Sequence, residues 1–396
     1  MAAIFAARAG ARVLLLERTA DGGKKILISG GGRCNILPSR LDEKRFITDS
    51  SPNTLRKIVR SWPLAEQIDF FNGELGLALV EETESEKLFP ASNRARDVRD
   101  GLLALARTHG AELRLNTHVT GILPLEGGQW RVAIDGTSSL DVDAVIVASG
   151  GLSVPKTGSD GVGLQIARKL GHTIHTTYPA LTPLTAEPNA YTELAGISLP
   201  VTITARAPER TATAAGGFLF THRGYSGPSV LDVSHVAVRS KAHGAGLARV
   251  SVQWSARGAD EWLRALRRSG SRSVLGVVRE VLPDRLAVVM LWEAGIDAAL
   301  PLPELKRDER TRLIDVLTNG VLPWSGDEGY AKAEVTGGGV SLTEIDPRTL
   351  ESRLHRNLFL CGELLDAFGP IGGYNFLWAW ATGRAAGVGA AHANQR

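Results

Sequence analysis

The spacing of apolar and polar positions divides the chain into stretches of two textures. Ala2 to Ala9 is an alanine-rich apolar run that stops at Gly10 and predicts a helix. Val13-Leu14-Leu15-Leu16 follows as a short buried strand closed by Glu17. Residues 97–110 set Leu102, Leu103, Leu105 and Ala106 at helical spacing ahead of Gly110. Strands are expected at 112–116, 119–123 and 130–134, the last after a Gly127-Gly128 turn. The unbroken apolar run within 143–148 predicts a parallel strand buried on both faces, ending at Gly150-Gly151. A helix is expected from Gly161 to Leu170. From about residue 178 the texture changes, and the alternation in 199–205 and 217–221 predicts antiparallel β structure. Residues 259–319 turn helical and arginine-rich. The first texture returns with a buried strand in 357–363, a glycine-rich turn at 369–373 and a final helix from Tyr374 to Ala391.

This order predicts an α/β fold. A Rossmann-like nucleotide domain is interrupted by an inserted β-rich domain with a helical part. The expected boundaries are 1–177 and 346–396 for the nucleotide domain, 178–258 and 323–345 for the β-rich part, and 259–322 for the helices. Helix, glycine, apolar strand and terminal acid form the second half of a dinucleotide-binding unit, with Glu17 placed to accept ribose hydroxyls. The same carboxylate also reads as an ordinary surface acid. The matching strand and G-x-G-x-x-G turn belong about 20 residues upstream, a distance that runs off the chain at Met1. A start codon placed too late is the preferred reading, against a crippled remnant. On either reading, weak retention of a dinucleotide cofactor is expected of the sequence as it stands.

Composition narrows the class. The 44 glycines among 396 residues exceed the usual share of about 7%, which suits a backbone that approaches a cofactor closely. Cys34 and Cys361 lie far apart, so neither a disulfide framework nor a zinc site is expected, and a reducing cytoplasm is the natural compartment. No apolar run reaches the ~18 residues of a membrane span, and Met1–Ala9 lacks the basic region and cleavage site of a signal peptide. A net charge of +3 permits an acidic partner but is weak support for one.

The chemistry concentrates in a few places. In Ser29-Gly30-Gly31-Gly32-Arg33-Cys34-Asn35, three successive glycines let backbone N–H groups converge on pyrophosphate or flavin oxygens, while Arg33 and Lys24-Lys25 supply charge. Ser149-Gly150-Gly151 is a second strand-to-glycine junction. The third is Cys361-Gly362-Glu363 with Asp366, where an acid can hold polyol hydroxyls. Beyond it, Gly372-Gly373-Tyr374-Asn375 opens a helix whose N-terminus can stabilise a reduced isoalloxazine. Three such junctions favour FAD over a nicotinamide alone. His222, Tyr225 and Ser226 read equally as substrate-orienting groups or as a structural loop, and Cys34 as a proton donor or an inert thiol. Residues 335–340 bring backbone close to a flavin or form a turn. Arg264, Arg267, Arg268, Arg272 and Arg279, with Lys241 and Arg257, read as a basic face for RNA or as solvated helix surface.

The stretches 24–35, 87–95, 148–172, 179–184, 218–234, 334–340 and 349–387 together make the chain resemble bacterial FAD-dependent oxidoreductases of the BaiN/RdsA, aminoacetone-oxidase-like type. The resemblance implies a two-dinucleotide-binding-domain flavoprotein with an inserted β-barrel-like domain and a helical subdomain, FAD as cofactor, and NAD(P)H as a transient electron donor. It also implies one of three activities: reduction of an activated C=C bond in a steroid-like acid, dihydrouridine formation in ribosomal RNA, or oxidation of a small amino-ketone. Reduction is the leading expectation, on a small molecule or ribosomal RNA. A flavin-less binding protein is the non-enzymatic alternative. The candidate cofactor residues are Glu17, Arg18, Lys25, Ser29, Gly30, Gly31, Gly32, Arg33, Cys34, Asn35, Val119, Ser149, Gly150, Gly151, Gly362, Glu363, Asp366, Gly372, Gly373, Tyr374 and Asn375. The candidate catalytic residues are Cys34, His222, Ser226 and Tyr374, and no metal is expected.

Overall fold

A computed structural model describes residues 1–135, 138–243, 246–268 and 270–393. The chain forms two compact units, Met1–Pro179 with Glu334–Arg396, and Ala180–Ala333.

The first unit opens with α1 (Ala2–Arg8) and β1 (Leu14–Leu16). The loop after β1 is held by Arg99, a buried side chain that pairs with Asp21 and donates to Gly22 O at 3.0 Å. Gly23 caps α2 (Lys24–Ile28) with φ +74°, and a Cβ there would lie 2.7 Å from Arg99 Cγ, so glycine is required on two counts. Next come β2 (Leu37–Pro38), α3 (Pro52–Arg60), α4 (Leu64–Asp69), β3 (Leu79–Glu82), β4 (Lys87–Pro90) and α5 (Ala95–Thr108). β5 (Glu112–Arg114) pairs in parallel with β1, Leu14 opposite Glu112. β6 (Val119–Pro124), β7 (Trp130–Ile134) and β8 (Ser138–Val142) form an antiparallel meander. β9 (Val145–Val147), α6 (Val162–Lys169) and β10 (Ile174–Ala180) complete the first part.

The second unit carries β11 (Leu184–Thr185), β12 (Ser198–Arg206), β13 (Thr211–Thr221), β14 (Gly224–Ser226), α7 (Pro228–His243) and β15 (Arg249–Gln253). These are followed by α8 (Ala259–Ala265), α9 (Val274–Val278), α10 (Asp284–Glu293), α11 (Arg307–Asn319), β16 (Gly320–Val321) and β17 (Gly326–Asp327). Its β-rich texture takes the form of one seven-stranded sheet, ordered β16-β15-β12-β13-β14-β11-β17. Along β12, Leu199, Val201, Ile203 and Ala205 alternate inward, as period-two burial requires. α7 is an element the texture hides. Val230, Val233, Val236 and Ala237 are buried at helical spacing against β12 and β13, although valine itself favours strands.

The chain then returns to the first unit with β18 (Val335–Val340), which pairs with β10. β19 (Leu358–Leu360) runs parallel to β9, Leu358 opposite Val145, and α12 (Tyr374–Ala393) ends the chain's described part. α12 packs closely on α1, and a Cβ on Gly387 would stand 2.3 Å from Ala2 O. Each unit has its own apolar core: Phe5, Trp62, Phe71 and Leu377 in the first, Phe218, Trp254, Trp262 and Met290 in the second.

Candidate functional site

The polar candidates of the first unit gather at the carboxyl ends of its parallel strands, where open α/β sheets bind ligands. Glu17 follows β1, and its Oε1 accepts from Thr19 N and Thr19 Oγ1, each at 2.7 Å, which sets the carboxylate over its own turn. Arg18 pairs with Asp160 in the loop after β9, so the two strand ends are tied together. In that loop Ser149 Oγ is buried without a partner and faces Gly163, where a Cβ would come within 2.0 Å of it. Val119 opens β6, just before a bulge.

Glu363, after β19, collects four donors. Its Oε1 accepts from Ser153 Oγ (2.5 Å), Thr336 Oγ1 (2.8 Å) and Thr336 N (2.9 Å), while its Oε2 meets the Lys25 ammonium. Lys25 also donates to Ser153 Oγ at 2.5 Å. Gly151 is explained here: a Cβ would stand 2.4 Å from Thr336 Oγ1 and 3.0 Å from Glu363 Oε1. Beside this group Glu334 is accessible although Ala333 and Val335 are buried. It lies in the field of Lys25 and Lys87, and desolvation nevertheless raises its carboxyl above the ordinary range.

The glycine turn takes a form that only glycine adopts easily. Gly30, Gly31 and Gly32 have φ of +54°, +66° and +86° in succession. Arg33 pairs with Glu82 at 3.0 Å and lies 4.1 Å over the Phe89 ring, while Ser29 Oγ donates to Ile26 O at 2.8 Å. Asn35 joins the turn to the last helix, donating to Leu37 O (3.1 Å) and accepting from Gly373 N (2.9 Å). Gly372 and Gly373 also have positive φ, and a Cβ on Gly373 would meet Leu37 C at 2.4 Å. Asn375 closes its own turn through Gly369 N and O, both at 2.9 Å.

Three expectations change. Cys34 is 0% exposed and its thiol is pushed up to about 11 by burial, so it packs in the core and does not reach an accessible surface. Tyr374 is 4% exposed, accepts from Asp42 N (3.2 Å) and donates to Arg40 O (3.4 Å), which makes it an anchor for that loop. Asp366 is 2% exposed, and its Oδ2 is taken by Thr48 Oγ1 (2.9 Å), Asp49 N (2.9 Å) and Ser50 Oγ (2.7 Å), with His175 Nε2 at 3.7 Å.

In the second unit His222 is exposed at the β13–β14 turn, and Ser226 ends β14 opposite Leu219. The segment is a tight hairpin in which a Cβ on Gly224 would lie 2.3 Å from Leu184 O. Tyr225 is buried and donates to Pro323 O at 2.8 Å. Of the candidate basic residues, Arg264, Arg267 and Arg268 are exposed, whereas others are paired. Arg272 and Arg257 pair with Glu280, Arg279 with Asp284, and Arg268 donates to Pro303 O. Lys241 donates to Ser325 O.

Ser153, Asp160, Glu334 and Thr336 lie inside the stretches 148–172 and 334–340 but do not stand out there as site residues, and Arg99 lies outside every such stretch. Only their neighbours, the glycines at 150–151 and 337–339, carried a signal.

The donor set fits a dinucleotide flavin. Gly362 sits between buried Cys361 and Glu363, yet a Cβ there would meet no heavy atom within 4 Å, so open volume lies against the end of β19. Among the described residues no cluster of His, Cys, Asp and Glu could hold a metal, and no helix is long and apolar enough to cross a membrane.

Comparison with known proteins gives a consistent result. The family described as "HI0933-like protein Rossmann domain" matches residues 1–389. The chain is 31% identical over 383 residues to the ribosomal RNA dihydrouridine synthase of Escherichia coli, covering 96% of this chain and 92% of that one. It is also 31% identical over 399 residues to the 3-dehydro-bile acid delta(4,6)-reductase of Clostridium scindens, covering 99% and 96%. Among solved structures it is similar to a quinol-fumarate reductase with menaquinol molecules, at a TM-score of 0.50 and 13% identity over 99% of this chain and 68% of that one, a likeness of fold. The chain belongs to the HI0933-like Rossmann family, with a mixed α/β, FAD-binding type of fold.

Proposed function

We propose that this FAD-dependent oxidoreductase adds hydrogen across a carbon–carbon double bond conjugated to a carbonyl group. The observation that carries the reading is near-full-length similarity to two proteins with unlike substrates, whose names both describe saturating such a bond. The chemistry is what they share.

Bound FAD would supply the two-electron chemistry, with a nicotinamide donor as the source of hydride. In this reading Glu17 holds ribose hydroxyls, and Lys25 with the 30–32 turn faces the anionic part of the cofactor. The N-terminus of α12 would offer backbone N–H groups to the ring. Glu334 keeps a proton to higher pH than an ordinary carboxyl and stands as the acid for the carbon next to the one that receives hydride.

Uracil in ribosomal RNA is the first substrate to test, because the similarity to a ribosomal RNA dihydrouridine synthase spans nearly the whole chain. A small conjugated ketone or acid is the second, favoured by the ion-paired arginines of the inserted unit. Mapping dihydrouridine in ribosomal RNA with and without the gene separates them. Loss of one modification on deletion supports the RNA reading, and an unchanged map moves the substrate to a small molecule.

A further inference from the structure

Thr336 spends its hydroxyl completely. A threonine hydroxyl offers one donor and two acceptor positions. Here Oγ1 donates to Glu363 Oε1 (2.8 Å) and accepts from Leu152 N (2.7 Å) and Ser153 N (3.2 Å). One atom therefore joins β18, the loop after β9 and the turn after β19. Thr336 is also fully enclosed, so it does not itself reach a ligand.

The Lys25 side chain it helps to hold is partly exposed. Glu363 and Ser153 take two of the three N–H groups of the Lys25 ammonium, which leaves the third for a ligand. Free of this pairing, a lysine side chain samples many rotamers, and fixing it in advance lowers the entropic cost of binding. We infer that Thr336 and Ser153 are positioning residues that fix Lys25, through Glu363, against the cofactor. This rests on the FAD reading above.

The test is FAD titration of apoprotein, followed by flavin fluorescence, with thermal stability measured on the same samples. Thr336→Val keeps the shape and removes the hydroxyl. It should raise the Kd for FAD about 10- to 100-fold, as for loss of a hydrogen bond to a charged group, and Thr336→Ser should restore it. In a Lys25→Met background the same valine substitution should have almost no further effect on Kd, because its route to the cofactor is gone. If Thr336→Val fails to fold, Ser153→Ala interrupts the same chain of contacts at an end that faces Lys25 directly, with the same dependence on Lys25 expected. A lowered melting temperature with unchanged Kd, or full additivity with Lys25→Met, would overturn the inference. An unsubstituted chain that takes up no FAD would overturn the functional reading and this one with it.

Discussion

The strand ends of the first unit and the helices of the second handle charge in opposite ways. Around Glu363 the partners come from far apart in sequence: Lys25 from α2, Ser153 from the loop after β9, Thr336 from β18. In the stretch 259–319 partners are near neighbours in sequence, Arg272 with Glu280, Arg279 with Asp284, Arg312 with Asp308. Residues 259–319 hold ten Lys and Arg against ten Asp and Glu, so the stretch has no net charge to steer an acidic partner. Exposed local pairs contribute about 0–1 kcal/mol each. Gathering a lysine, a carboxylate and two hydroxyls from four segments costs ordering and desolvation, and such an arrangement marks a place where function asks for it.

The contrast can be broken first at Glu334. Glu334→Gln should slow substrate reduction by about 100-fold, the usual size of a general-acid contribution, while FAD binding stays close to that of the unsubstituted chain. Stopped-flow reoxidation of reduced enzyme by substrate reads the first, titration the second. Equal rates would remove Glu334 from the chemistry.

Gly151→Ala comes next. Its Cβ would overlap Thr336 Oγ1 and Cβ, at 2.4 and 2.7 Å, and overpacking of this kind costs about 1–3 kcal/mol. A lower midpoint in urea together with weaker FAD binding is expected. Full tolerance would show that the Glu363 cluster is loose.

Glu363→Gln should weaken FAD binding by a comparable or smaller amount, about 1.5–3 kcal/mol for bonds to a charged group, and the loss should be coupled to Lys25. A double-mutant cycle with Lys25→Met measures that coupling, and additive losses would contradict the pairing.

Not every buried polar cluster of the first unit belongs to the site, and His172 sharpens that boundary. Nδ1 meets Glu344 Oε2 at 2.9 Å and Nε2 meets Ser352 Oγ at 3.0 Å. The order of groups is that of a hydrolytic triad, but Ser352 Oγ already accepts from Leu354 N and His355 N and is 6% exposed, so the cluster is a structural bridge. Burial lowers the His172 pKa against the opposing pull of Glu344. The folded state therefore prefers neutral imidazole, and the unfolded chain takes up the proton first as pH falls below about 6.5. Stability is present above that pH and is lost below it, by at most about 1.4 kcal/mol per pH unit. His172→Gln should flatten this slope in urea melts at several pH values.

The smallest effect is expected in the second unit. Replacing Arg272 and Arg279 together with alanine should change stability by no more than about 1–2 kcal/mol. It should also leave the salt dependence of any RNA binding within about one phosphate contact of the original. A slope that falls by two contacts would restore the basic face.

What could be read in advance follows from how local each signal is. Strand β9, helix α6 and the final helix are set by runs of apolar residues, and the glycines at 30–32, 150–151 and 372–373 mark backbone that a side chain would obstruct. Ser153 and Thr336 carry no such mark, because a serine or threonine becomes special only when three distant segments meet at it. α7 was hidden by valines whose strand preference is overridden by burial against the sheet. The arginines of 257–279 are ambiguous in sequence because partners such as Glu280 and Asp284 lie in turns and at helix ends, where periodicity does not pair them. Cys34 looked chemical beside the glycine turn, yet its positive φ of +62° and its burial turn the thiol into the core.

Anaerobic reoxidation of the reduced holoenzyme decides whether the chain is a flavin reductase of conjugated double bonds. With oxygen excluded, the flavin absorbance should return on adding a carbonyl-conjugated alkene or uridine-containing ribosomal RNA, with one saturated product per flavin reoxidised. Reduced flavin that ignores every such acceptor and is reoxidised only when oxygen enters would contradict a reductase and point to an oxidase.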